Sequence, residues 1–376
     1  MGAEKEHKDQ NWIRETKHAV HAKVMSFLLN PAHWQNRPNA LRDIKQIVPL
    51  AHQGWCNYTL LVTTSDGKRL VMRLQARPRH VQSVKWSVYH KEEWAIRQVA
   101  SRVPIARVVE DGVGYFEVLD PFTKNSRQYA FMLQEYLPYP SARALAISPH
   151  SLELLRKLGK IARDIHAVTA NGIGKDFDAD SNRFRYGTWA EYLDACLAGC
   201  RLAELATLKF LSVKTCRMVE ERLLRLKQLR FKATLCHRDF LSNFGNVLID
   251  AAGDVRAIID WEFCSCAPAF EYEIAAARYT MLRDGESEEL IESKLAAVLD
   301  GYGMREDEFE ACHRETVEDL VLLNSLSAIN KYIDLKKRGG VSSEPWRRTF
   351  AERAQVWIET RRHTLQRRAS QLPLAA

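Results

Sequence analysis

The spacing of apolar positions changes period along this chain, and each change predicts a change of element. Tyr58-Thr-Leu-Leu-Val-Thr63 and Arg69-Leu-Val-Met-Arg-Leu74 flank an Asp66-Gly67 turn, which predicts a β-hairpin. On its second strand Leu70, Met72 and Leu74 share one face, and Arg73 lies on the other with Val71. Residues 89–99 switch to helical spacing, with Ala95, Ile96 and Val99 on one side. Strand-like runs return at Arg107-Val-Val109, at Tyr115–Leu119 and from Tyr129 to Leu137, where Pro138 ends the last one. From about residue 141 the pattern is helical. Leu154, Leu155, Leu158, Ile161, Ala162 and Ile165 form a stripe running to His166, Gly172-Ile-Gly174 is expected to end that helix, and Thr188-Trp189 to start another. Residues 1 to 40 read as a polar lead-in with one helix, carrying Val20, Val24, Met25 and Leu28 at helical spacing.

One stretch interrupts the helical half. Two short apolar runs, Val247-Leu-Ile249 and Val255 to Ile259, surround an Ala251-Ala-Gly-Asp254 turn and predict a second hairpin. Polar residues stand at its open end: His237, Asp239 and Asn246 before the first strand and Asp260 after the second. A hairpin brings its two ends together, so Asn246 and Asp260 are expected to face one cation. An amide oxygen and a carboxylate are hard ligands suited to Mg²⁺, which takes few protein ligands and completes its shell with water and phosphate oxygens. That set suits phosphoryl transfer, in which one aspartate receives the proton of the attacking hydroxyl while an asparagine and a second aspartate hold the metal.

In motif order these residues resemble the aminoglycoside phosphotransferase and choline kinase family, whose fold is similar to that of protein kinases. His237-x-Asp239, Asn246-Val-Leu-Ile-Asp250 and Ile259-Asp260-Trp261 look like its catalytic loop and metal-binding segment, in wording closest to hygromycin-type members. Six residues separate Asp239 from Asn246, where the family pattern has four; Asn243 is the alternative to Asn246. The resemblance implies an α+β, bilobal, protein-kinase-like fold, with a small β-rich N-terminal lobe and a larger, mostly helical C-terminal lobe. Residues 1–40 would be an N-terminal polar segment and helix, 41–140 a nucleotide-binding lobe with its hinge, and 141–376 a helical lobe with the catalytic loop and acceptor pocket. It further implies ATP and Mg²⁺ as cofactors. Asp239 is the implied base and His237 steadies its loop. Gly54 and Asn57 fall in the nucleotide-covering loop, and Arg73 contacts phosphates, braced by Glu92 or by its neighbour Glu93. Backbone groups of Glu135 and Leu137 would pair with adenine, and Asn246 and Asp260 would bind the metal.

Composition narrows the partners. The 376 residues contain 55 Lys and Arg against 47 Asp and Glu, a net charge of +8 that by itself permits nucleic acid as a partner. Its distribution argues otherwise: Glu262 to Asp319 holds sixteen acids and five Lys or Arg, or −11, which leaves a diffuse +19 elsewhere. In relatives the helices after the hairpin form the acceptor pocket, so the local acidity permits a cationic, aminoglycoside-like acceptor. The expected partner is a small-molecule hydroxyl acceptor, with no nucleic acid and no membrane. No apolar run approaches a membrane span, and the eight scattered cysteines, with the polar N-terminus, fit a reducing cytoplasm. A protein kinase is disfavoured because the Gly-x-Gly-x-x-Gly, Val-Ala-x-Lys, Asp-Phe-Gly and Ala-Pro-Glu motifs are missing. The alternative from another class is a non-catalytic kinase-like protein that binds a nucleotide or a protein, a reading prompted by the long Asp239–Asn246 spacing.

Overall fold

The computed structural model describes residues 30, 34–35, 39–50, 57–75, 88–119, 126–145, 151–337 and 345–371. The lead-in helix expected before residue 40, and Gly54, lie outside these residues. The chain divides into two compact units: one of residues 1–145, 176–183 and 245–264, the other of residues 146–175, 184–244 and 265–376.

The first unit is built on a six-stranded sheet in the order β1-β5-β6-β4-β3-β2, where β1 is Trp34–Gln35, β2 Ile44–Pro49, β3 Asn57–Thr64, β4 Arg69–Gln75, β5 Val108–Leu119 and β6 Ser126–Glu135. The predicted hairpin is β3–β4, paired from Asn57↔Gln75 to Thr63↔Arg69. Gly67 turns it with φ 83°, a backbone region open to glycine at little cost. Alternation does what the sequence implied: Leu60, Val62, Leu70, Met72 and Leu74 are buried in one core with Phe131 and Leu133. Helix α1, Val88–Val99, buries Ala95, Ile96 and Val99.

The second predicted hairpin also belongs to this unit. Strands β7 (Ile173–Asp178), β8 (Arg183–Tyr186) and β9 (Thr234–Cys236) precede it in sequence, so its strands are β10, Val247–Ile249, and β11, Val255–Ile258, paired as Val247↔Ile258 and Leu248↔Ala257 with a bulge at Ile249. The Asp250 carboxylate accepts from the Ala252 and Asp254 amides at 2.9 and 3.0 Å, which locks the turn. The hairpin is fastened to its unit through its backbone: the Ile258 amide donates to Pro104 O at 2.9 Å, and the Ile249 amide to Pro140 O at 3.0 Å.

The second unit is mainly helical: α2 Leu152–His166, α3 Trp189–Cys200, α4 Leu202–Thr207, α5 Val213–Leu226, α6 Ala269–Asp284, α7 Glu288–Tyr302, α8 Glu306–Cys312, α9 Arg314–Lys337 and α10 Pro345–Gln371. Thr188 caps α3 with a complete capping box to Glu191, the start predicted at Thr188-Trp189. Two expectations are corrected here. Helix α2 ends at His166, not at Gly172; Gly172, with φ 77°, leads into a strand, and Gly174, with φ 109°, lies within it. The half read as helical apart from the hairpin also contains a four-stranded sheet of β7 Ile173–Asp178, β8 Arg183–Tyr186, β9 Thr234–Cys236 and β12 Ser265–Ala267, in the order β8-β7-β12-β9. Strands of three to six residues paired across long sequence distances leave no readable period. Among the described residues no helix is long and apolar enough to cross a membrane.

Candidate active site

In the first unit the site is organised by Arg73, which β4 holds on the face opposite its apolar residues. The residue is 8% exposed, and its guanidinium forks to Glu92 and to Asp260, with Glu262 at 3.9 Å. Glu92 is fully buried on α1, whereas Glu93 turns outward to pair with Arg97 at 2.8 Å. Successive helical residues point about 100° apart, so only one of the two glutamates reaches the sheet, and it is Glu92. Burial works against the Arg73 charge, but Glu92 and Asp260 more than offset it and hold its pKa above the usual arginine value. One guanidinium cannot neutralise every carboxylate around it. Burial pushes the Glu92 carboxyl up, Arg73 pulls it back, and Asp260 and Glu262 add to the rise, which leaves it at about 7.

The open end of the second hairpin supplies the rest. The Ile259 amide donates to the Asn246 carbonyl at 3.0 Å, so Asn246 stands across the ladder from the residue that precedes Asp260. Asn246 is buried in a short 3₁₀ turn, Phe244–Asn246, that feeds straight into β10. Asp260 takes a left-handed backbone, φ 65°, a strained conformation for a non-glycine residue. Its side chain keeps 34% exposure, so the carboxylate bound to Arg73 retains room for another ligand. Two hard oxygen ligands at one hairpin end fit a Mg²⁺ ion that completes its shell with non-protein oxygens.

Asn57 and its surroundings were only partly anticipated. Its amide is committed at both ends, accepting from the Tyr89 hydroxyl at 2.8 Å and donating to Glu262 at 3.2 Å. Lys91 donates to the carbonyls of Glu262 and Cys264 at 2.7 and 2.9 Å, tying α1 to the segment after Asp260. Glu135 is fixed by a reciprocal pair, its amide on Arg107 O and its carboxylate on the Arg107 amide, both at 2.9 Å. The Glu135 amide is therefore already used, and Leu137 follows just beyond the end of β6.

The second unit holds the loop with His237 and Asp239, and a residue missed in the sequence controls its shape. Glu273, 1% exposed on α6, accepts the His237 amide at 2.8 Å and the Arg238 amide at 2.8 and 2.9 Å. That grip holds Arg238 in a left-handed backbone, φ 75°. The Asp239 amide then donates to His237 Nδ1 at 3.2 Å, and Asn243 donates to the Asp239 carboxylate at 3.1 Å. His166, at the end of α2, lies 3.8 Å from the Glu273 carboxylate and 3.1 Å from the Tyr302 hydroxyl. Burial would raise the Glu273 pKa, but the nearby His166 ring and hydrogen bonds from the loop amides outweigh burial and hold it below the usual value. The signal for Glu273 was an acid set among apolar residues in Tyr272-Glu-Ile-Ala275, which only the burial of the helix reveals.

Comparison with known proteins supplies the family. No curated protein matches the sequence. The fold is similar to that of aminoglycoside phosphotransferase APH(4)-Ia, at a TM-score of 0.55 and 16% identity over 89% of this chain and 99% of that one. It is equally similar to amicoumacin kinase hAmiN, solved in complex with AMP-PNP, Ca²⁺ and Ami, at a TM-score of 0.55 and 17% identity over 90% and 96%. At these identities the likeness is one of fold, and it identifies the architecture as protein-kinase-like. Residues 47–308 match the model of the APH family, described as the phosphotransferase enzyme family, and that match over most of the chain shows that this protein belongs to it.

Proposed function

We propose that the chain is an ATP- and Mg²⁺-dependent O-phosphotransferase that acts on the hydroxyl of a small molecule. The observation that carries this reading is the buried Arg73 fork, which joins Glu92 to Asp260 at the hairpin end shared with Asn246. In the reaction the bond between the terminal phosphorus and its bridging oxygen breaks, a bond from the acceptor oxygen to that phosphorus forms, and nucleoside diphosphate leaves. Asp239 takes the proton of the acceptor hydroxyl, in a loop whose backbone Glu273 has already fixed. Arg73 meets the phosphates with a planar fork suited to two parallel hydrogen bonds, and Glu92 keeps that fork oriented. Asn246 and Asp260 would hold Mg²⁺, which supplies charge neutralisation on phosphate oxygens. Two neighbours by fold were solved with such ligands, APH(4)-Ia with ADP and hygromycin B and hAmiN with AMP-PNP and Ca²⁺, and this supports the nucleotide and the divalent ion.

The competing reading, a non-catalytic nucleotide-binding protein, draws on the six residues between Asp239 and Asn246 and on Asn243 occupying the Asp239 carboxylate. ADP release from Mg-ATP, measured against a panel of hydroxyl-bearing acceptors, separates the two. Acceptor-stimulated turnover that falls about 10²–10⁴-fold in Asp239→Ala, with the fold retained, is expected. Full turnover in Asp239→Ala would remove the assignment, and nucleotide binding without turnover on any acceptor would favour the rival.

A further inference from the structure

We infer that Lys91 is a positioning residue for the metal site: it holds the turn after Asp260 by two backbone carbonyls and so aims the Asp260 carboxylate at the ion. This rests on the phosphotransferase reading and deepens it with a residue that acts through another.

The backbone at Asp260 needs support from outside. Its φ of 65° and ψ of 62° are a left-handed conformation, which a non-glycine residue keeps only where its surroundings impose it. On the near side the hairpin does so, through the Ile259 amide on Asn246 O at 3.0 Å. Trp261, fully buried, adds a bond from its indole nitrogen to Ile258 O at 3.1 Å. On the far side the chain makes a short 3₁₀ turn, Trp261–Phe263, closed by the Cys264 amide on Trp261 O at 2.9 Å. Phe263 in that turn is 50% exposed, so its ring is a poor anchor.

Lys91 supplies the anchor. It is buried on α1, and its ammonium donates to Glu262 O at 2.7 Å and to Cys264 O at 2.9 Å. Those carbonyls lie in the turn and at its exit, so one side chain pins both. Hydrogen bonds from a charged donor are about twice as strong as neutral ones, and a buried ammonium that gave them up would lose the groups that replace its water. Two more residues of α1 serve the same segment. Tyr89 holds the Asn57 amide that donates to the Glu262 carboxylate, and Glu92 orients the Arg73 fork on Asp260. Those contacts reach side chains, whereas Lys91 reaches the backbone that carries them. Without the ammonium the two carbonyls lack their donor, the turn rotates to find another, and Asp260 relaxes from its left-handed backbone. Arg73 would still hold one carboxylate oxygen, while the aim of the other, the one left for an ion, would be lost.

The test measures binding by the full chain: calorimetric titration with AMP-PNP, in Mg²⁺ and again in EDTA, of wild type, Lys91→Met and Lys91→Arg. Lys91→Met keeps an apolar stem and loses the donors, which Lys91→Arg retains. A Kd in Mg²⁺ about 10–100-fold weaker in Lys91→Met is expected, with the Kd in EDTA unmoved and affinity recovered in Lys91→Arg. Should Lys91→Met fail to fold, Lys91→Gln, too short to span both carbonyls, carries the same expectation. An unchanged Kd in Mg²⁺, or a loss as large in Lys91→Arg, overturns the inference and leaves the phosphotransferase reading standing. An equal loss with and without Mg²⁺ gives Lys91 a merely structural part and overturns it too. Wild-type protein that binds AMP-PNP no better in Mg²⁺ than in EDTA removes the metal site itself, and the inference with it.

Discussion

At Arg73 the fold concentrates more negative charge than one cation can match, and that surplus is a measurable property of single residues. Glu92 is buried and raised to about 7 from an ordinary 4.5, first by its burial. A carboxyl whose folded pKa lies above its unfolded value stabilises the fold below the unfolded value and loses that contribution as pH rises through the folded one. Stability referable to Glu92 should therefore fall between about pH 4.5 and 7, by on the order of 3 kcal/mol. Glu92→Gln, neutral throughout, should lose most of that slope; urea unfolding at pH 5 and pH 7 checks it, and an unchanged slope would place the titration elsewhere. Residue chemistry of this kind was half legible in the sequence. The strand alternation that puts Arg73 opposite Leu70, Met72 and Leu74 could be read directly. The choice of Glu92 over Glu93 could not, because it depends on the rotation of α1 against the sheet. Glu273 was invisible for the same reason: nothing in a helix sequence says which acid will be buried against two loop amides.

At the scale of elements, the ring of His166 beside Glu273 is set in place by a close helix crossing that two small residues permit. A Cβ on Gly159 of α2 would meet Val298 O of α7 at 2.1 Å, and one on Gly301 of α7 would meet Arg156 O of α2 at 1.9 Å. Backbone on each helix thus occupies the space a side chain would need on the other. The same crossing sets His166 against Tyr302 and, through its other nitrogen, near Glu273. Gly159→Ala or Gly301→Ala should destabilise the protein by about 1–3 kcal/mol or more, since neither obstacle is a flexible side chain. Gly199, with nothing within 4 Å, is the control: Gly199→Ala in α3 should be neutral or stabilising by up to about 1 kcal/mol. Denaturation midpoints for the three variants test both statements, and equal effects at all three sites would mean the crossing carries no special constraint. The helices themselves were readable from their stripes, as was the Thr188 cap. The sheet of β7, β8, β9 and β12 was not, because Ser265-Cys-Ala267 acquires strand character only by pairing with Thr234–Cys236 and with Gly174.

Over the whole molecule, opposing titrations should confine stability to a mildly acidic window. Below about pH 4.5 the protein must protonate carboxyls that the fold holds low. Burial acts to raise Glu273 and Glu292, but the nearby His166 ring and the loop amides in one case, and the bonds from Arg314 and Arg278 in the other, outweigh it. Depressed carboxyls contribute stability above their unfolded pKa and lose it as pH falls through the folded value, so the acid side declines. Above about pH 6.5 a different group acts. His313 is raised, first by its hydrogen bond with Glu271 at 2.8 Å, and a raised histidine contributes fully below its unfolded value and loses that contribution as pH rises through the folded one. Glu92 falls away over the interval just below, so the two losses run together. Stability is therefore expected to peak near about pH 4.5, falling below it as the depressed carboxyls protonate and above it as Glu92 and then His313 lose their protons. The sequence-level net charge of +8 does not anticipate this, because the window is set by a few paired groups whose partners lie far along the chain. Urea midpoints measured from pH 4 to pH 8 would show the maximum directly, and His313→Gln should flatten only the decline on its alkaline side. A midpoint that rose steadily to pH 8 would mean that neither Glu92 nor His313 takes up a proton in the folded protein as their surroundings require.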